Sequence, residues 1–292
     1  MTRALLLLLT AAALPAQTPA SPPPEAPPDE FVALCQRLEA AHRPEGPVPN
    51  ATALRGVFTF QLHDKTAEQR GQVDLNVTFL EWQRPQGGRV MPLIRYEVRD
   101  AGAPIVRGQD RDGPWQLVQG EPRDLGSADF VQDLAACERH TNLARQLLRF
   151  LSPADVLRSL QNRTPLRDAT LVVARGRSFA CKVVGGELPA FPLLQQGGQD
   201  RPVRLEVFVN TQTGRLAAVD AWPRDGAAVD EQRGERILLD DLRVRDGILV
   251  PHNLKHLFRE GGKLALNSSA QVLELSLRPE LRPEDFDRKP AR

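Results

Sequence analysis

GQVDLNVTFLEW, Gly71 to Trp82, decides the fold. Val73, Leu75, Val77 and Phe79 fall on one side of an extended chain, and Gln72, Asp74, Asn76 and Thr78 on the other, because successive strand side chains point to opposite faces. A strand with one apolar and one polar face belongs to an antiparallel sheet covered on one side only. The neighbouring stretches repeat the pattern. ALRGVFTFQLH places Leu54, Phe58, Phe60 and Leu62 together, and RVMPLIRYEVRD alternates through Val90, Ile94, Tyr96 and Val98. APIVRGQ and PWQLVQ come next, joined by a turn at Asp110 to Gly113; its Asp-Gly end is a strong hairpin signal.

Elsewhere the period changes. DEFVALCQRLEAAH spaces Phe31, Leu34, Cys35, Leu38 and Ala41 as a helix, with Asp29 as its N-cap. From Ser127 to Leu151 a longer helix starts on an N-capping Ser127 and carries a stripe of Phe130, Leu134, Cys137, Ala144, Leu148 and Leu151. SPADVLRSLQN adds a short one, with Ser152 as N-cap and Pro153 at the first position. Strands resume at DATLVVA and SFACKVV, break at a Pro/Gly-rich excursion from Gly185 to Pro202, and continue as hairpins such as VFVNTQTGRLAAVDAW and RILLDDLRVRDGILVPHNLKHLF. The excursion is long for a loop and reads as a mobile or functional one. The sheet needs a cover and the long helix needs a surface to bury its stripe. The expected fold is therefore α+β and mostly β: a curved antiparallel sheet, or half-open β-barrel, of about 11–12 strands with central helices on its concave face.

The chain has 292 residues, 41% hydrophobic and 26% charged, with a net charge of +1. That balance gives no field to favour nucleic acid. MTRALLLLLTAAALPAQ reads as a secretory leader, residues 1–16, with cleavage after Ala16. Residues 17–28 form a Pro-rich linker, and residues 29–292 a single domain. The expected product is periplasmic or otherwise exported and soluble, with no integral membrane segment after cleavage. Export permits disulfides. Of the three cysteines, Cys137 and Cys181 are the pair to test, the alternative being three buried small hydrophobes.

No constellation carries obvious chemistry. His252 and His256 lie four apart in a β-rich stretch, where two imidazoles on one face stand about 13 Å apart, too far for one metal ion. Asp240 and Asp241 are strand neighbours and point apart. Neither a nucleophile elbow nor a phosphate loop nor a zinc-protease motif is present. The sequence reads as a non-enzyme without a cofactor.

The order of elements resembles the bacterial outer-membrane lipoprotein carrier superfamily, the LolA/LolB-like half-open barrels, over roughly Asp29 to Pro290. GVFTFQ (Gly56 to Gln61) looks like that family's first strand and QDRDGPWQL (Gln109 to Leu117) like its strand, turn and tryptophan. VFVNTQTGRLAAV, LRVRDGILVP and the terminal LRPEDFDRKP look like its later hairpins and end. The resemblance implies a carrier or chaperone that binds a lipid, lipoprotein acyl chains or a similar amphiphile, with a lipidated protein or an envelope transport component as partner. It also implies that Arg84, ahead of Pro85, holds the helical lid closed. The second and third strands and the Gly185 to Pro202 stretch look extended against the family, which points to changed cargo.

On that reading the cavity is lined by Phe58, Phe60, Leu75, Val77, Phe79, Ile94 and Tyr96 from the sheet and by Phe130, Leu134, Leu148 and Leu151 from the helix. The alternative is a non-catalytic binding, sensing or structural domain with a filled core. Apolar alternation looks the same in both; polar residues at inward positions favour the filled core. Tyr96 is expected with its hydroxyl at an edge.

Overall fold

The computed structural model describes residues 28–63, 71–83, 90–99, 105–126, 130–174, 176–194 and 200–288. Arg84, the Ser127 cap, the leader and most of the linker lie outside the described residues. Helix α1 spans Pro28–His42. After it come β1 (Ala53–Leu62), β2 (Gln72–Trp82), β3 (Met91–Arg99), β4 (Ile105–Gln109), β5 (Pro114–Val118) and β6 (Glu121–Asp124). Helices α2 (Val131–Leu151) and α3 (Pro153–Arg158) come next. The chain then forms β7 (Arg167–Ala174), β8 (Arg177–Phe191), β9 (Arg201–Asn210), β10 (Leu216–Asp225), β11 (Ala228–Val229), β12 (Glu235–Arg245), β13 (Ile248–Glu260) and β14 (Lys263–Ser276), and ends in a 3-10 turn, Pro283–Phe286.

All the strands join one antiparallel sheet of 14 strands, ordered β6-β5-β4-β3-β2-β1-β14-β13-β12-β10-β9-β8-β7, with β11 paired to β10 off this path. The sheet does not close: β6 and β7 are its two edges. The expected architecture holds, but the sheet is larger than the expected dozen strands. The added pieces include β6, exposed throughout, and the two-residue β11. The first has no apolar face and the second is too short to show a period, so periodicity passes over both.

The register puts the alternating residues where their pattern demands. Phe58 pairs with Leu75 and Phe60 with Val73; Val77 pairs with Tyr96 and Phe79 with Ile94. All face the concave side. The last two hairpins are tight. Asp246 and Gly247 (φ 51° and 76°) connect β12 to β13, and Gly261 and Gly262 (φ 56° and 80°) connect β13 to β14. Two successive positive φ values make the turn that matches strand twist. The Asp110 turn is held by its own carboxylate, which accepts from the Asp112 and Gly113 amides at 2.9 and 3.1 Å. Arg288, 2.9 Å from the same carboxylate, ties the C-terminal tail down, and Phe286 is fully buried beneath it.

Several local expectations need correction. Helix α1 begins at Pro28, so Asp29 lies inside its first turn rather than capping it. Ser152 does precede α3, but its hydroxyl donates to Asn50 Oδ1 at 2.8 Å instead of capping the helix. The Gly185 to Pro202 excursion is largely not a loop: Gly185 to Phe191 continue β8, and β9 starts at Arg201. The glycines there admit close neighbours, since a Cβ on Gly186 would sit 2.9 Å from Gln161 O and Leu160 Cβ. All three cysteines are buried free thiols. Cys137 belongs to the interior cluster and Cys181 to a separate cluster on the outer face.

That outer cluster explains LAAVDAW. Strand β10 is buried along eight consecutive residues because both its faces are covered. Leu216, Val219 and Ala221 join the main core, while Ala217 and Ala218 join Phe208, Val183 and Leu238 outside. Two-sided burial erases alternation.

Candidate functional site

Helix α2 lies in the sheet's concavity. The sequence predicts an apolar stripe; the structure buries Thr141 to Leu148 without interruption. Half-buried Phe130 and Leu134 pack at the helix's beginning, and Leu148 and Leu151 are buried near its end. Phe58, Phe60, Leu75, Val77, Phe79, Ile94 and Tyr96 meet them in one contiguous apolar cluster. The eleven residues expected to line a cavity are thus brought together, but in a packed interior. Leu148 is the one of them that lines the cleft described below. The Tyr96 hydroxyl is not at an edge: the residue is fully buried beside Cys137 and Arg107. Burial pushes the Cys137 thiol up to about 12.

All-round burial brings polar groups inward, and each needs a partner. Thr141 Oγ1 donates to Cys137 O at 2.8 Å, along the helix itself. Asn142 Nδ2 donates to Leu193 O at 2.8 Å. Gln146 is the hub: its Nε2 donates to Pro192 O at 2.6 Å and to Glu235 Oε1 at 2.8 Å. Its Oε1 stands 2.9 Å from His256 Nε2. The second Glu235 oxygen accepts from the Leu194 amide at 3.0 Å. One network therefore fastens the end of β8 to α2 and both to β12 and β13. Burial holds His256 down at about 3, so the ring is neutral and its Nε2 donates to the Gln146 carbonyl. His140 is likewise held near 3 by burial, between the rings of Phe60 and Tyr96, both edge-on at 5.3 and 4.8 Å.

The open space is a cleft of about 590 Å³. Its walls come from the approach to β1 (Asn50 to Thr52), the facing ends of β2 and β3, the C-terminal half of α2, α3, and the end of β8 with Asp200. Strands β2 and β9 are separated in the sheet by β1, β14, β13, β12 and β10. The cleft is thus where the two arms of the sheet face one another across the helices. Leu148, Val156, Leu188 and Pro92 supply apolar wall; Glu81, Arg145, Arg149, Asp155 and Asp200 supply charge. Arg145 and Asp200 form a 2.6 Å ion pair with side chains 11% and 6% exposed. Burial raises the Glu81 carboxyl above its ordinary range, against the pull of Arg149 and Arg145.

Sequence reasoning missed the charged groups. Arg145 and Arg149 are spaced i, i+4 beside the apolar stripe, and nothing in the sequence distinguishes them from an ordinary solvated helix face. Glu81 ends β2 and Asp200 precedes β9, with nothing local to link them. Asn142 and Gln146 had a signal: four apart on a helix that must be buried. His252 and His256 share the concave face of β13, each with its own partner, His252 Nδ1 lying 3.0 Å from Val272 O. Among the described residues no group of three or more His, Cys, Asp or Glu could hold a metal. No described helix is long and apolar enough to cross a membrane.

No protein-family model matches the chain, and no curated protein matches it. Among solved structures it is similar to a putative outer membrane lipoprotein-sorting protein domain from Vibrio parahaemolyticus, 12% identical over 88% of this chain and 95% of that one, with a TM-score of 0.37. It is similar to a DUF1329 family protein from Desulfovibrio piger, 11% identical over 90% and 98%, TM-score 0.47. It is also similar to a LolA superfamily protein from Nitrosomonas europaea, 10% identical over 88% and 97%, TM-score 0.37.

Proposed function

We propose that the chain is an exported, non-catalytic carrier that takes an amphiphile, a lipid or the acyl chains of a lipidated protein, between α2–α3 and the concave sheet. The observation that carries this reading is the cleft: an opening of about 590 Å³ that borders Leu148 and Val156, both members of the apolar interior. Each methylene moved from water into such an interior contributes about 0.8 kcal/mol, so a long chain supplies enough free energy to displace part of a helix. The interior is packed in the empty state, so loading requires α2–α3 to move outward from the sheet. Arg145, Asn142 and Gln146 are the polar ties that resist this on the β8 side. Lid latching is proposed for them and, at the β2–β3 end, for Arg84.

The buried network around Gln146 favours a second reading, a binding or sensing domain with a permanently filled core. Satisfied polar groups in an interior fix one packing.

The two separate in one experiment. The whole chain is expressed in a bacterial periplasm, purified without detergent and weighed by native mass spectrometry. The carrier reading expects cleavage after Ala16 and a discrete added mass that organic solvent extracts as a lipid. A bare protein mass that also fails to take up a fluorescent fatty-acyl probe would overturn it in favour of the filled core.

A further inference from the structure

The charged groups of the cleft are not equally committed. Asp155 accepts from Asn50 and Arg158, at 2.8 and 3.0 Å. Arg145 is spent on one oxygen of Asp200. The other oxygen, Asp200 Oδ1, is buried and has no hydrogen-bond partner. Glu81 and Arg149 also line the cleft, and among the described residues neither side chain makes a hydrogen bond or ion pair. The site therefore offers one buried acceptor without a partner, Asp200 Oδ1, and two charged groups that make no hydrogen bond or ion pair among the described residues, the half-buried Glu81 carboxylate and the exposed Arg149 guanidinium, beside an apolar wall.

Each of these has a definite complement. A carboxylate only accepts, and a primary ammonium brings three donors. A guanidinium only donates, and it pairs best with the oxygens of a phosphate or carboxylate. A purely anionic amphiphile would meet Glu81 and Asp200; a purely cationic one would meet Arg149. Resting on the carrier reading, we propose that the cleft binds the head group of a zwitterionic lipid, its primary ammonium on Asp200 and Glu81, its anionic group on Arg149, and its chains running toward Leu148 and Val156. The volume is within the range of small-molecule sites, about 300–1,000 Å³, which fits a head group and the first methylenes of its chains.

The test titrates the mature chain calorimetrically with short-chain lipids below their micelle concentrations: a phosphatidylethanolamine, a phosphatidylcholine and a phosphatidylglycerol. The ethanolamine lipid should bind about tenfold or more tightly than the other two, since choline has no N–H donor and glycerol no charge. Glu81→Gln should cost about tenfold for the ethanolamine lipid and should not weaken the glycerol lipid; Asp200→Asn should behave alike. Arg149→Gln should weaken both. Glu81→Gln breaks no existing bond, so it decides the matter even if Asp200→Asn, which loses an ion pair, fails to fold. Equal affinity for all three lipids, or an unaffected Glu81→Gln, overturns the head-group site alone. Failure of every lipid to bind overturns the carrier reading beneath it.

Discussion

Asp220 is 2% exposed on the outer face of β10, yet it is held by two arginines. Arg236 grips it with two bonds of 2.6 and 2.7 Å, and Arg259 adds a third at 3.2 Å. The same arginines lie over aromatic rings: Arg236 is 5.2 Å from the Phe208 centroid, and Arg259 is 5.2 Å from that of Trp222. A planar, weakly hydrated guanidinium can satisfy a carboxylate and cover an aromatic face together. Removing one member of a buried pair strands the other charges, at a cost of about 3–5 kcal/mol. Asp220→Ala should accordingly lose that much in urea unfolding, without change in oligomeric state. A loss below about 1 kcal/mol, the worth of an exposed pair, would mean that the arginines find water instead. In the sequence Asp220 is one acid in an apolar strand; its partners are 16 and 39 residues away.

At the scale of elements, α2 is the piece the rest is built around. Its strand-facing side was legible: Leu148 and Leu151 lie where the helical period puts them. Its other side was not, because a helix period reports one contact surface, and α2 is also covered by Phe191 to Leu194. Gln146 holds that cover. Gln146→Ala removes the side-chain donor to Pro192 O and the acceptor facing His256 Nε2, and an unsatisfied buried group costs about 1–3 kcal/mol. The variant should unfold at markedly lower denaturant, and hydrogen exchange should rise first at the Leu194 amide, whose acceptor is Glu235. Uniform exchange across α2 and β8 would show that the network is not what fastens them. Should α2–α3 move on loading, the same variant should take up an acyl probe faster than the parent chain.

The whole molecule should be acid-sensitive. His42, His140 and His256 are held by burial at about 4, 3 and 3, against an ordinary 6.5. Each is neutral when folded and takes up a proton when unfolded. Their contribution is therefore complete above pH 6.5 and is lost as pH falls from there toward the folded values. At pH 5 the loss is on the order of 2 kcal/mol per histidine, large against a total stability of about 5–15 kcal/mol. Urea midpoints measured from pH 7.5 to 5 should fall steeply, and His140→Phe, which suits the Phe60–Tyr96 contact, should remove about one proton from that dependence. A flat profile would mean that these rings reach water.

By itself the sequence determined the local periods and their direct consequences: which residues of β1, β2 and β3 share a face, where the helices interrupt the strands, and that one curved antiparallel sheet covers them. Alternation and helical spacing are short-range signals, and the hydrophobic effect turns them directly into inside and outside. Only the tertiary structure decided that the interior is packed, that β8 extends through Gly185 to Phe191, and that Glu81, Arg149 and Asp200 line one cleft. Those three come from β2, α2 and the approach to β9, and closing such long loops leaves no periodic mark along the chain. Whether an inward face meets a neighbour or a void depends on how far the two arms of the sheet curl, and that is set by the twist and packing of all its strands together.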